Sequence, residues 1–142
     1  MVVVVIIGLL AAMSLPIYRH ITMRSKTVAV QNDFRTFSTA FVTYNLQHGG
    51  WPADSTAAEI PTEMTGALPP GFTTKTPIGG FYKWEAGHTI AGVDVKAAIS
   101  IVGASDDQDL LEMIDREMDD GDLANGNVKT DGGNTLVFII EK

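Results

Sequence analysis

MVVVVIIGLLAAMSLPIYRHITMRSKTVAVQNDFRTFSTAFVTYNLQHGG, residues Met1–Gly50, is the stretch on which the fold turns. It carries no charge from Met1 to Tyr18 and is apolar from Met1 to Ala12 apart from Gly8. At about 1.5 Å per residue, that uncharged run spans roughly 27 Å, close to the ~30 Å hydrocarbon core of a bilayer. A secretory signal would end in a small-residue cleavage site, and Pro16-Ile17-Tyr18-Arg19 is a poor one. A buried core helix with no polar face would need a larger protein around it. The expectation is therefore a helix that lies in a membrane or among other helices.

Past Arg19 the pattern changes without a break. Val30, Phe34, Phe37, Phe41 and Tyr44 recur every three or four positions, a helical stripe, with Gln31, Asn32, Asp33, Arg35 and Thr36 off it. No glycine or proline interrupts Arg19–Gln47, and His48-Gly49-Gly50 is a helix stop followed by Trp51-Pro52. A single helix from near Met1 to about Gln47 would be roughly 70 Å long. Its first half is apolar all round and its second half is amphipathic, which makes the aromatic stripe a packing face. Pro16 removes a backbone hydrogen bond, so a kink or local unwinding is expected there, and Gly8 is a second weak point. Two parts follow: residues 1–24, the hydrophobic half destined for a membrane or for burial among other helices, and residues 25–142, a globular domain that includes the amphipathic half.

The rest of the chain reads as a small α+β body. A short helix is expected over Ala57–Leu68, and Leu68-Pro69-Pro70-Gly71 and Thr76-Pro77-Ile78-Gly79-Gly80 are turns. Phe81, Tyr82 and Trp84 open a strand. Val93, Val95, Ala97, Ile99 and Ile101 alternate with Asp94, Lys96, Ala98 and Ser100, which predicts one half-buried strand. Thr135–Glu141 predicts another with both faces apolar. Between them a helix carries Leu111, Ile114 and Met118, with Ser105 and Gln108 as a capping box and Gly121 as its end. The resulting mostly antiparallel sheet needs a cover on one face, and the Phe34/Phe37/Phe41/Tyr44 stripe is available to provide it.

Charge excludes one class of function. Residues 1–50 hold four basic side chains against one acid, and residues 51–142 hold six against sixteen. An acidic body repels phosphate backbones, so no nucleic-acid partner is expected. There is no cysteine, hence no disulfide framework, thiolate site or thiol nucleophile. His20, His48 and His88 share no metal-ligand spacing, and no G-x-S-x-G, P-loop or G-x-G-x-x-G motif occurs. No catalytic, cofactor-binding or metal residue is assigned, and an enzyme is not expected. Nine carboxylates crowd Asp106–Asp122 with only Arg116 among them. In the Asp119–Asn127 loop, Asp119, Asp120, Asp122, Asn125 and Asn127 offer the hard oxygens that calcium takes, without the spacing of an EF-hand. Two readings stand there: a calcium loop, or a solvated acidic helix end.

Taken together, Gly8, Ala11-Ala12, Pro16 and Tyr18 within an apolar N-terminal run closely resemble the signature of type IV pilins and type II secretion pseudopilins. Trp51-Pro52, Pro77–Gly80 followed by Phe81, Tyr82 and Trp84, and Asp119-Asp120-Gly121 before the last strand are similar to pseudopilins in particular. The lack of cysteine points the same way, since many pilus subunits close a C-terminal loop with a disulfide. The resemblance implies a pilin-like fold, a long N-terminal helix packed on the sheet, in a structural subunit of a helical cell-envelope filament. It implies a bacterial inner-membrane origin with a periplasmic body. That resolves a conflict, because Arg19, Arg24 and Lys26 after the apolar run would otherwise place the body in the cytoplasm. Implied partners are copies of the chain, minor pseudopilins, secretion-machine components and, before assembly, membrane lipid. The family's leader cleavage, amino-terminal methylation and motif Glu belong to positions upstream of Met1, so none is assigned to a residue. A type IV pilus subunit and a single-pass anchored binding domain are the alternatives.

Overall fold

The computed structural model describes all 142 residues, Met1–Lys142. Helix α1 runs unbroken over Val2–His48. It stops at Gly49, which takes the left-handed conformation (φ 73°) while its N–H donates to Asn45 O at 2.7 Å. Pro16 does not unwind it. The backbone stays helical on both sides, because proline deletes one hydrogen bond while the neighbouring turns keep theirs.

The six strands are β1 Phe81–Glu85, β2 His88–Ile90, β3 Val93–Val95, β4 Ala97–Val102, β5 Val128–Asp131 and β6 Thr135–Glu141. Four make an antiparallel sheet in the order β1-β4-β6-β5, and β2-β3 is a separate ribbon. Helix α2, Gln108–Met118, connects β4 to β5. Pairings such as Tyr82 with Ile101 and Ile99 with Phe138 set the register that sends alternate side chains to opposite faces. One face gives Tyr82, Trp84, Ile99, Ile101 and Leu136 to the main core, which Val30, Phe34, Phe37 and Phe41 of α1 complete. The other face gives Ala98, Val137 and Ile139 to a smaller core with Ile90 and Val95 of the ribbon.

Four local expectations need correction. The helix expected over Ala57–Leu68 is a single 3₁₀ turn, Thr62–Met64. Ala58 and Gly66 have positive φ and Pro61 lacks an N–H, so no α-helix can propagate there. The strand expected over Val93–Ile101 is two. At Lys96 the backbone N–H turns to Glu141 O (2.9 Å), and the chain leaves its β2 partner for β6. Strand β4 is buried on both faces, since the ribbon covers Ala98 and Ser100 donates to Glu85 Oε1 at 2.8 Å. The N-cap of α2 is Asp107, whose carboxylate accepts the Leu110 N–H at 3.4 Å. Ser105 stands too early to cap and accepts the Asp107 N–H instead.

The turn expected before β1 is tightly specified. Gly80 has φ +70°, and a Cβ there would collide with the Val102 and Gly103 carbonyls of the paired strand end. Only glycine fits.

Candidate functional site: the exposed helix and the acidic loop

Every residue of α1 up to Ile21 is exposed, with Val2–Val5 at 62–73%. An isolated soluble chain rarely presents so long a contiguous apolar surface, and surfaces of this kind mark membrane or protein contacts. By length and composition the helix is able to cross a membrane. At its neck, Ser14 and Thr22 return hydroxyls to the Leu10 and Tyr18 carbonyls (2.8 and 2.9 Å), so their polar groups are met within the helix. Arg19, Arg24, Lys26 and Arg35 are exposed, and Arg19 reaches Asp107 at 3.5 Å.

The lower half of α1 is seated by rings. Phe41 stacks on Trp84 with centroids 3.7 Å apart and planes 8° apart, and Phe37 meets Tyr82 edge-on at 4.9 Å. Tyr44 is only half-buried and stacks on His48 at the margin. Asp33 belongs to this seat although it falls off the stripe. It accepts the Tyr82 hydroxyl at 2.7 Å, and burial, that hydrogen bond and the Asp33 charge together push the phenol well above the usual tyrosine range.

Two carboxylate clusters lie on the body. Glu85, 5% exposed, faces Asp54 and His88. Lys83 stands among them, 2.7 Å from Glu85 and 3.9 Å from Asp54, His88 Nε2 lies 3.0 Å from Glu85, and Ser100 donates to it. This cluster contains its own cation. The second cluster does not. Asp115 of α2 is fully buried, neither of its carboxylate oxygens has a hydrogen-bond partner, and Asp119 and Asp120 lie beside it. Burial, then the charges of Asp120, Asp119 and Asp122, raise its pKa to about 6.

Of the loop residues read from the sequence, the structure gathers Asp119 and Asp120 around Asp115 and directs the others elsewhere. Asp122 accepts the Ala124 N–H (3.1 Å) and the Asn125 side-chain amide (2.8 Å), which hold its pKa below the usual carboxylate range. Asn127 gives its backbone N–H to Asp119. Sequence reasoning missed Asp115, although a signal was present: it lies four residues past buried Leu111, on the helix face that packs inward.

Comparison with known proteins places these features. No protein-family model matches the chain. It is 36% identical over 62 residues to a fimbrial protein of Neisseria meningitidis serogroup B and 37% identical over 60 residues to the type IV major pilin protein PilE of Neisseria gonorrhoeae. These matches take in 44% and 42% of this chain but only 36% of each relative's length. Among solved structures, the major type IV pilin PilA1 of Clostridium difficile superposes with a TM-score of 0.59, covering 87% of this chain and 98% of that one at 14% identity. The fold is pilin-like. The long N-terminal helix on an antiparallel sheet is the arrangement shared with that structure, and the Neisseria relatives are named as a fimbrial protein and a type IV major pilin.

Proposed function

We propose that this chain is a structural subunit of a helical cell-envelope filament, most like a type II secretion pseudopilin that polymerises through its N-terminal helix to drive protein export. The observation that carries the proposal is the uncharged, wholly exposed run Met1–Tyr18 at the head of a pilin-like fold. Such a helix buries its surface first in lipid and then against copies of itself, and its polymerisation is mechanical work rather than catalysis. In a bilayer the basic neck, Arg19 to Lys26, would lie at the headgroup level. The pseudopilin assignment draws on Trp51-Pro52, the Pro77–Gly80 turn and the absence of cysteine. A type IV pilus subunit is the second reading, favoured by the names of the Neisseria relatives.

Electron microscopy of cells expressing the chain with its cognate machinery is the test. Filaments that label with antibody to residues 25–142 support the subunit reading. Short periplasm-spanning fibres assign the pseudopilus, and long surface fibres assign the pilus. A chain that stays monomeric in mild detergent and never yields fibres would instead be an anchored binding domain.

A further inference from the structure

We propose that the groove between α1 and α2, at the neck of the molecule, holds the headgroup of a zwitterionic phospholipid, phosphatidylethanolamine in particular. The inference rests on the membrane location of Met1–Tyr18 proposed above and adds to it a site and a lipid class. The α1 wall of the groove is Pro16, Arg19, His20 and Met23, and the α2 wall is Asp109, Glu112, Met113 and Arg116. Both sets fall at i, i+3, i+4 and i+7, so each is one face of its helix. Arg19 with Asp107 (3.5 Å) and the Gln31 amide with Glu117 O (3.2 Å) hold α2 alongside α1. The groove is open and has a volume of about 370 Å³, within the range of small-molecule sites.

Charges of both signs line this groove and do not neutralise one another. Arg116 and Asp109 take part in none of the chain's ion pairs, and Arg19 has only the long one to Asp107. Glu112 accepts the Gln108 side-chain amide at 3.2 Å and meets no cation. Between the charges, the half-buried Met23 and Met113 supply apolar surface. Depth gives the second argument. Eighteen uncharged residues at about 1.5 Å each place Arg19 roughly 27 Å from Met1, where hydrocarbon gives way to headgroups. A lipid lying against the helix would run its tails along the apolar run up to Pro16 and present its phosphate near Arg19. The arginine fork matches phosphate oxygens, and a primary ammonium brings three N–H donors to the carboxylates of Asp109 and Glu112. A headgroup with both groups answers both signs. Phosphatidylglycerol would set its phosphate against the two carboxylates with nothing to offer them, and phosphatidylcholine has no N–H to donate.

The experiment titrates the full chain in detergent micelles with phosphatidylethanolamine, phosphatidylglycerol or phosphatidylcholine of identical acyl chains, and counts bound lipids by native mass spectrometry. Flotation with phosphatidylcholine vesicles reports membrane insertion separately. The expected result is saturable binding of one phosphatidylethanolamine per chain, at lower concentration than either other lipid. Arg116→Gln should weaken it by about fivefold, the usual worth of one basic side chain beside lipid headgroups. Asp109→Asn combined with Glu112→Gln leaves the basic side chains without counter-charges and should turn the preference toward phosphatidylglycerol. Arg35→Gln, an exposed position roughly 24 Å further along α1 than Arg19, should change nothing. Thermal melting checks that each variant folds, and Asp109→Asn alone serves should the double variant fail. Equal uptake of the three lipids, a wild-type preference for phosphatidylglycerol, or a preference that survives the carboxylate substitutions would each overturn the site and leave the membrane reading standing. Variants that lose fibres while keeping the lipid preference would make the groove a contact between copies of the chain and overturn the site as well. A chain that does not float with the vesicles would overturn both the site and the membrane reading.

Discussion

Over Met1–Tyr18, α1 presents uncharged side chains on every side and all of them are exposed; over Val30–Phe41 the apolar positions recur every three or four residues and are 2% exposed or less. Backbone geometry is the same in both halves, so the difference lies in where the burial partner is. For the lower half the partner is the chain's own sheet, and burial there stabilises the fold. For the upper half no part of the chain is available, and its burial has to come from lipid or from other helices. A residue's apolar character therefore predicts folding stability in one half and association in the other.

A charge in the upper half is the most direct way to break this contrast. Val5→Lys touches nothing in the folded body, so the folding stability should change by less than about 0.5 kcal/mol. A lysine near the middle of a membrane helix costs about 2.5–3.5 kcal/mol, and an unpaired charge among packed apolar helices is similarly unwelcome, so filament formation should be lost. A chain beginning at Ser25 should correspondingly stay in solution without detergent. A Val5→Lys chain that still assembles, or that melts far lower, would dissolve the distinction between the halves.

The matching test in the lower half is Phe37→Ala. It removes a ring packed edge-on against both Tyr82 and Phe72, and large-to-small changes of this kind cost about 3–5 kcal/mol. Thr36→Ala, next to it but exposed and bonded only to the Asn32 carbonyl, should fall within about 0.5 kcal/mol of wild type. Denaturant titrations of the two variants decide it, and equal losses would show that the stripe is not the seat. Gly80→Ala should come next, at about 1–3 kcal/mol for the positive φ alone, with the carbonyl clash adding to it. A neutral Gly80→Ala in the same titration would show that the turn before β1 relaxes freely.

The parts of this architecture that follow from periodicity are legible in the sequence, and those that depend on a distant partner are not. The length of α1, its stop at Gly49 and the burial of Phe34, Phe37 and Phe41 all follow from local spacing and glycine chemistry. The break at Lys96 does not, because it exists only where β4 exchanges the ribbon for β6, whose pairing residues lie some forty positions further on. Nor does the covered second face of the sheet, since Ala98 reads as a solvent position until Ile90 and Val95 fold over it. The acidic loop divides along the same line. Its carboxylates are evident as a crowd, but the buried member, Asp115, is hidden among acids that all look solvated, and only its offset from Leu111 marks it.

The smallest expected effect is at the far end of α1, where the helix hands over to the sheet. Trp51, just past the helix stop, donates its indole N–H to Glu141 of β6 at 2.9 Å, and Lys96 donates to the same carboxylate at 2.8 Å. The Lys96 and Trp51 hydrogen bonds hold the Glu141 carboxyl below the usual glutamate range. A pKa depressed in the folded state means that the folded chain releases this proton more readily than the unfolded one. The stabilisation is therefore complete above the ordinary glutamate pKa of 4.5 and is lost as the pH falls below it through the lower folded value. Glu141 is at the surface, so solvent and salt screen the ion pair and the effect should be slight. Glu141→Gln removes the titrating group while keeping an acceptor for the indole. Its stability relative to wild type should be slightly lower at pH 7 and should converge with it under acid. A gap that persists unchanged from pH 7 down to pH 3 would mean that shape rather than charge ties Trp51 to the last strand.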